Sequence, residues 1–141
     1  KEKLLHKKVC IDTAPFIYYM ERHSHFGAIV QPIFEEIDKG NIQAITTNIT
    51  LLEVLVQPYR TGNEKLAQQY RDILLNAEGL TTLTVTHEIS ENAAKLRANY
   101  TIRTPDAIQI ATALENNADV FLTNDEALKK IKEIHVICLN D

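Results

Sequence analysis

Four carboxylates stand where the sequence pattern changes from strand to helix. Asp12 directly follows the first short apolar run of the chain, and Asp125 directly follows the fourth. Glu53 and Asp106 each lie in the first turn of a predicted helix. Carboxylate oxygens are the ligands that Mg²⁺ and Mn²⁺ prefer in proteins. If these four side chains meet, they predict a divalent metal site, because unpaired carboxylates at close range repel one another.

Each acid also has a purely structural interpretation. Thr50 and Glu53 fit a capping box at a helix start. The segment 104–106 fits a helix start with a threonine cap, a proline in the first turn and an acid favoured by the helix dipole. Asp12 and Asp125 fit caps of the helices that follow them. Capping explains one acid at one helix start, but it does not require four acids from separate segments to converge.

The elements that must position these acids alternate along the chain. The predicted strands are 8–11, 42–46, 83–85, 120–122 and 135–139, and the predicted helices are 15–20, 26–39, 50–58, 64–76, 87–100, 105–116 and 126–131. Pro58 is expected to limit the third helix. Such alternation predicts an α/β fold, with a parallel sheet covered by helices on both faces. Because ligands bind at the carboxyl edge of such a sheet, the four acids are expected on one rim.

Length and composition favour one globular domain. The 141 residues, 45% of them hydrophobic, predict a single domain over 1–141. No apolar run reaches the ~18 residues that a membrane span needs, and no signal-peptide core follows the basic start, so a cytoplasmic protein is expected. The net charge of −4 argues mildly against a nucleic-acid binder. That objection weakens if several acids surround metal ions.

The sequence lacks the motifs of serine hydrolases and of nucleotide-binding proteins. The two serines, Ser24 and Ser90, lie outside any Gly-x-Ser-x-Gly elbow. No Gly-x-Gly-x-x-Gly segment or phosphate-binding loop is present, which argues against dinucleotide and ATP binding. The two cysteines, Cys10 and Cys138, lie in predicted strands and are expected to be buried, reduced thiols.

Four segments resemble the signature blocks of the PIN-domain family, in the family's order. They are 9–13 (VCIDT), 50–55 (TLLEVL), 104–113 (TPDAIQIATA) and 121–125 (FLTND). The third segment is the most specific, and the second alone would be weak. The resemblance extends over a core of about 9–139, and the size of the chain is similar to that of VapC-type toxins. One departure is visible: Ala14 and Pro15 follow Asp12-Thr13, where many relatives carry a small polar residue.

The resemblance implies a single PIN-like domain with four or five parallel strands. It implies ligation of Mg²⁺ or Mn²⁺ by the matching positions Asp12, Glu53, Asp106 and Asp125, with Thr123 orienting the acids or a bound water. It also implies hydrolysis of RNA that leaves a 5′-phosphate and a 3′-hydroxyl. The toxin members commonly dimerise and are covered by an antitoxin helix, so an RNA substrate, an antitoxin protein and a homodimer are the expected partners.

Contacts to the substrate must come from basic side chains, and Arg103 is the best placed because it lies just before the helix that carries Asp106. Lys8 is a second candidate. A solvated surface position is the simpler interpretation of every basic candidate other than Arg103, namely Lys7, Lys8, Arg60, Arg97 and Lys129. The apolar segment 16–20 cannot turn every side chain inward on a helix, so it predicts either core packing or a partner interface.

Three alternatives to a toxin ribonuclease stay open at this point. The first is a PIN-type nuclease of RNA maturation or decay that has no antitoxin. The second is a catalytically degenerate PIN module that binds RNA or protein. The third is a doubly wound module that binds a small anion at helix N-termini, although an acid-rich edge would repel anions.

Overall fold

A single parallel sheet forms the centre of the molecule. A computed structural model describes residues 1–141. The strands are β1 (Lys8–Ile11), β2 (Gln43–Thr47), β3 (Leu80–Leu83), β4 (Val120–Thr123) and β5 (His135–Cys138). They lie in the order β3-β2-β1-β4-β5, and every neighbouring pair is parallel. The predicted α/β class is therefore confirmed, with five strands.

Six α-helices connect the strands. They are α1 (Thr13–Met20), α2 (Gly27–Asp38), α3 (Asn48–Arg60), α4 (Glu64–Asn76), α5 (His87–Asn99) and α6 (Thr104–Glu115). Two short 3₁₀ helices cover Glu2–Leu4 and Glu126–Lys130. None of these helices combines the length and the apolar character that crossing a membrane requires.

The two faces of the sheet bury separate hydrophobic cores, because successive strand residues point to opposite sides. Val9 and Ile11 of β1 pack with Phe16 and other side chains from α1 to α4. Cys10, between them, packs on the other face with side chains of α5 and α6, such as Ile110. Helices therefore cover both faces, as predicted. Cys10 and Cys138 are both buried free thiols.

Several predicted boundaries were wrong, and the third strand and the third helix show why. The third strand was expected at 83–85, but β3 is Leu80–Leu83 and pairs along β2 from Ala44 to Thr47. The residues after β3 lead to Thr86, which caps α5. Helix α3 begins at Asn48 because Thr47 caps it, and it runs past Pro58 to Arg60.

The strand order places a crevice at the end of β1. The chain leaves β1 for β2 and β3 on one side, then crosses to β4 and β5 on the other. Connections therefore depart in opposite directions from the carboxyl ends of β1 and β4, which is where open α/β sheets bind ligands.

The turn into β3 gives a test of the packing between α2 and the sheet. Gly79 has φ +80°, and an added Cβ would lie 2.7 Å from the Ile37 carbonyl oxygen. Gly62 has φ +70° with nothing within 4 Å of the added atom. We expect Gly62→Ala to cost about 1 kcal/mol of unfolding free energy through backbone strain alone. Gly79→Ala should cost at least about 1 kcal/mol more through overpacking. Urea unfolding measures both, and equal costs would contradict the predicted clash.

Candidate active site

All four predicted acids line one cleft at the carboxyl edge of the sheet. The cleft has a volume of about 280 Å³ and lies where β1 and β4 end. Its polar lining consists of Asp12, Thr13, Tyr18, Glu53, Arg103, Asp106, Thr123, Asn124 and Asp125. The convergence expected from the strand-to-helix junctions is therefore present in the fold.

Asp12 is held in place by two hydrogen bonds at the end of β1. Its Oδ1 accepts from the backbone N–H of Thr13 at 2.8 Å and so caps α1, and its Oδ2 accepts from the Thr123 hydroxyl at 2.8 Å. Burial raises the pKa of Asp12 above its ordinary value, these hydrogen bonds oppose that rise, and the charges of Asp106 and Glu53 add to it. Three of the acids are therefore close enough to influence one another.

Glu53 lines the cleft and is held there by a hydrogen bond from Thr13. The Thr13 hydroxyl donates to Glu53 Oε1 at 2.6 Å. The expected capping box was wrong, because Thr47 caps α3 by accepting from the Ile49 N–H at 3.1 Å. Thr50 is buried and bonds to other side chains instead.

Asp106 is the most deeply buried of the four acids, with 5% of its surface exposed. The Arg103 guanidinium makes a bidentate interaction with it: Nε lies 3.1 Å from Oδ2, and Nη2 lies 3.3 Å from Oδ1. The pKa of Arg103 is raised, chiefly by its hydrogen bond to Asp106 and further by the charges of Asp106, Glu53 and Asp12. Arg103, and not Thr104 as expected, occupies the N-cap position of α6.

Asp125 and Thr123 connect β4 to the same cleft. Asp125 Oδ1 accepts from the Ala127 N–H at 3.0 Å and caps the 3₁₀ helix Glu126–Lys130. The Thr123 hydroxyl accepts from the Asp125 N–H at 3.1 Å while it donates to Asp12. Thr123 thus ties the ends of β1 and β4 together.

Lys8, the second basic residue considered for substrate contacts, lies elsewhere. It begins β1, whereas Asp12 follows the end of that strand. The four residue steps from Lys8 to Asp12, at about 3.3 Å each, place Lys8 roughly 13 Å away along the sheet. Its backbone N–H bonds to Asp119, and it does not line the cleft.

A buried set of hydrogen-bonded side chains beneath the cleft, here called the Gln109 clamp, was not predicted from the sequence. It consists of Thr46, Thr47, Thr50 and Gln109. The Gln109 amide accepts from the Thr47 hydroxyl at 2.7 Å and donates to Thr50 at 2.6 Å. The Thr46 hydroxyl lies 2.8 Å from that of Thr50 and donates to the Ile11 carbonyl at 2.8 Å. The clamp joins α6 to α3, which carry two of the acids. The available signal was the i, i+3 spacing of Gln109 from Asp106, which puts both on one helix face.

The donor set fits a hard divalent cation, because it is made of carboxylate and hydroxyl oxygens without cysteine or histidine. As the side chains stand, however, no three of the His, Cys, Asp and Glu residues are grouped closely enough to hold an ion. Each carboxylate is engaged by a protein donor instead.

The family model of the PIN domain matches residues 9–134, which include every acid of the cleft. The chain belongs to the PIN domain family. The match confirms the resemblance that the four sequence segments suggested. No curated protein matches the sequence significantly.

Solved structures of toxins share this PIN-domain fold. VapBC2 from Rickettsia felis, bound to a DNA fragment from its promoter, is 18% identical with a TM-score of 0.75, over 93% of this chain and 98% of that one. A toxin–antitoxin complex from Klebsiella pneumoniae is 20% identical with a TM-score of 0.70, over 93% and 97%. Mycobacterium tuberculosis VapC20, a toxin that cleaves the sarcin–ricin loop, is 14% identical with a TM-score of 0.70, over 90% and 98%.

Because the pKa of Asp12 is raised, we expect its ionised carboxylate to lower the stability of the metal-free protein in a pH-dependent way. A carboxyl group whose folded-state pKa is raised stabilises the fold below its unfolded pKa of about 3.9, and this stabilisation is lost as the pH rises through the folded pKa. Asp12→Asn should therefore unfold at higher urea concentration than the wild type at pH 7 in chelator. The difference should shrink towards pH 4. Asp72→Asn, which alters an exposed acid on α4, serves as the control. A less stable Asp12→Asn at pH 7 would contradict the electrostatic argument.

Proposed function

We propose that this PIN domain is a metal-dependent endoribonuclease and the toxin of a type II toxin–antitoxin pair. The observation that carries the proposal is the meeting of Asp12, Glu53, Asp106 and Asp125 in one cleft. The similar structures support it: VapC20 cleaves an RNA loop, and the Rickettsia felis and Klebsiella pneumoniae proteins are toxin–antitoxin assemblies.

Asp12 and Asp106 are the proposed central ligands of Mg²⁺ or Mn²⁺, and Glu53 and Asp125 complete the set or hold coordinated waters. A bound divalent cation supplies a Lewis acid that activates water for attack on the phosphodiester. Thr123 and Thr13 keep Asp12 and Glu53 in fixed orientations through their hydroxyl groups. Arg103, whose side chain is 72% exposed at the cleft, provides positive charge for a substrate phosphate.

Loss of one central ligand should abolish cleavage. Asp106→Asn keeps the shape of the side chain but lowers its affinity for a hard cation, so we expect metal-dependent cleavage of RNA to fall at least about 100-fold. Asp72→Asn should retain wild-type activity. Gel assays with Mn²⁺, with Mg²⁺ and with excess chelator measure the effect. Full activity of Asp106→Asn, or activity in chelator, would refute the mechanism.

An antitoxin is the proposed protein partner, and a groove beside α1 is its proposed site. The groove has a volume of about 760 Å³ and is bordered by Tyr19 and Met20 of α1, Gln31 of α2 and Gln69 of α4. Within the apolar segment 16–20, Phe16 is fully buried and Tyr19 stacks on Phe34 with ring centroids 4.2 Å apart, but residues 17–20 are only half-buried. The half-buried side chains of Tyr19 and Met20 border the groove, whereas those of Ile17 and Tyr18 line the acid cleft. A concave surface suits an inserted helix.

A second copy of the chain is the proposed partner for another surface. The strongly exposed apolar side chains are Leu52, Val56 and Tyr59 on α3 and Leu75 on α4. The three on α3 are spaced i, i+4, i+7 and therefore form one row. A flat row on a single helix suits a two-fold contact in which the same surfaces meet.

The two surfaces predict separable effects of two charge substitutions. Tyr19→Glu should weaken capture of a co-expressed antitoxin without changing the mass of the chain alone. Val56→Glu should convert the dimer to a monomer and leave antitoxin capture largely intact. Light scattering after size exclusion and co-purification measure the two properties. If each variant altered the other property instead, the assignment of partners would be wrong.

A further inference from the structure

Arg103 and Asp106 form an ion pair of unequal burial. The Asp106 side chain is 7% exposed, whereas the Arg103 side chain is 72% exposed. Both carboxylate oxygens accept from the guanidinium, one from Nε and the other from Nη2. A divalent cation also binds carboxylate oxygens, and two positive charges close to one carboxylate repel each other. The guanidinium and a cation therefore compete for Asp106.

Asp106 differs in this respect from the other three acids. Asp12, Glu53 and Asp125 accept hydrogen bonds from neutral hydroxyl or amide groups, which leave their charge uncompensated. Asp106 alone is paired with a positive side chain. It is also the most buried acid of the cleft, and a buried carboxylate without a partner is strongly unfavourable.

Arg103 is the one basic side chain that lines the cleft. Its guanidinium makes hydrogen bonds to Asp106 and to no other residue. The neighbouring Arg97 is anchored differently, to the Ile102 carbonyl and the Thr104 hydroxyl. A mostly exposed guanidinium with a single partner can turn away without breaking other contacts.

We propose that Arg103 is an internal counter-cation: its guanidinium neutralises Asp106 in the metal-free protein, is displaced when a divalent cation binds, and is then free to grip a phosphate of the RNA. The last step rests on the proposed function, whereas the exchange of cations rests on the ion pair itself. The exchange keeps the buried carboxylate compensated at every stage. It also makes the phosphate-binding group available only when the metal is in place.

The experiment measures Mn²⁺ binding without RNA. Titration calorimetry compares the full-length wild type with Arg103→Gln, Arg103→Lys and the control Arg60→Gln, which alters an exposed arginine at the end of α3. Removal of the competitor should tighten Mn²⁺ binding about tenfold in Arg103→Gln. Arg103→Lys keeps the charge but loses the bidentate interaction, so its Mn²⁺ affinity should lie between those of the wild type and Arg103→Gln. Arg60→Gln should match the wild type.

Thermal unfolding gives a second readout. Arg103→Gln should have a lower Tm than the wild type in chelator and a larger rise on addition of Mn²⁺. If the variant is unfolded without metal, Mn²⁺ should restore its fold. Unchanged or weaker Mn²⁺ affinity, or an unfolded variant that Mn²⁺ does not rescue, would overturn the exchange. An Arg103→Lys protein that matches the wild type would overturn the role of the bidentate interaction.

Cleavage assays separate this inference from the proposed function. Arg103→Gln should cleave RNA with a kcat/KM about tenfold or more below the wild type, despite its tighter Mn²⁺ binding. A wild type that neither binds Mn²⁺ nor cleaves RNA would refute the proposed function. A wild type that does both, beside an Arg103→Gln variant with undiminished kcat/KM, would refute only the phosphate-binding step.

Discussion

Mutual repulsion among carboxylates is the constraint on which the rest of this structure depends. Four acids converge on one edge of the sheet, and burial of Asp12 and Asp106 strengthens their interaction. The fold offsets that repulsion with donors of its own. Two threonine hydroxyls, two backbone N–H groups and one guanidinium engage the four carboxylates. The cleft is therefore a set of acids whose charges are partly offset by the protein's own donors.

Buried hydrogen bonds hold together the strands and helices that carry the acids. Thr123 joins the ends of β1 and β4, and the Gln109 clamp joins α6 to α3. Every deeply buried side-chain nitrogen and oxygen has a hydrogen-bond partner. Such a network costs little when it is fully satisfied and specifies one arrangement of its helices. Mobility at the site is consequently expected in the exposed Arg103 side chain and not in the backbone that carries the acids.

The fold and the identity of the acids were predictable from the sequence because they depend on local patterns. Apolar runs and amphipathic stretches specify a parallel sheet, and junction positions such as Asp12 must then lie at its carboxyl edge. Features that depend on tertiary packing were not predictable. The position of β3 depends on its pairing with β2, and the grip of Arg103 on Asp106 depends on side-chain rotamers. The Gln109 clamp joins residues about 60 positions apart, beyond the reach of any local pattern.

Mapping the ends of cleaved RNA tests whether the cleft hydrolyses RNA with a divalent cation. Total RNA is incubated with the purified chain in Mn²⁺ or in chelator, and both ends at each new break are sequenced. We expect breaks at few sites, only with Mn²⁺, that carry a 5′-phosphate and a 3′-hydroxyl. Intact RNA under both conditions, or breaks that persist in chelator with cyclic phosphate ends, would contradict it.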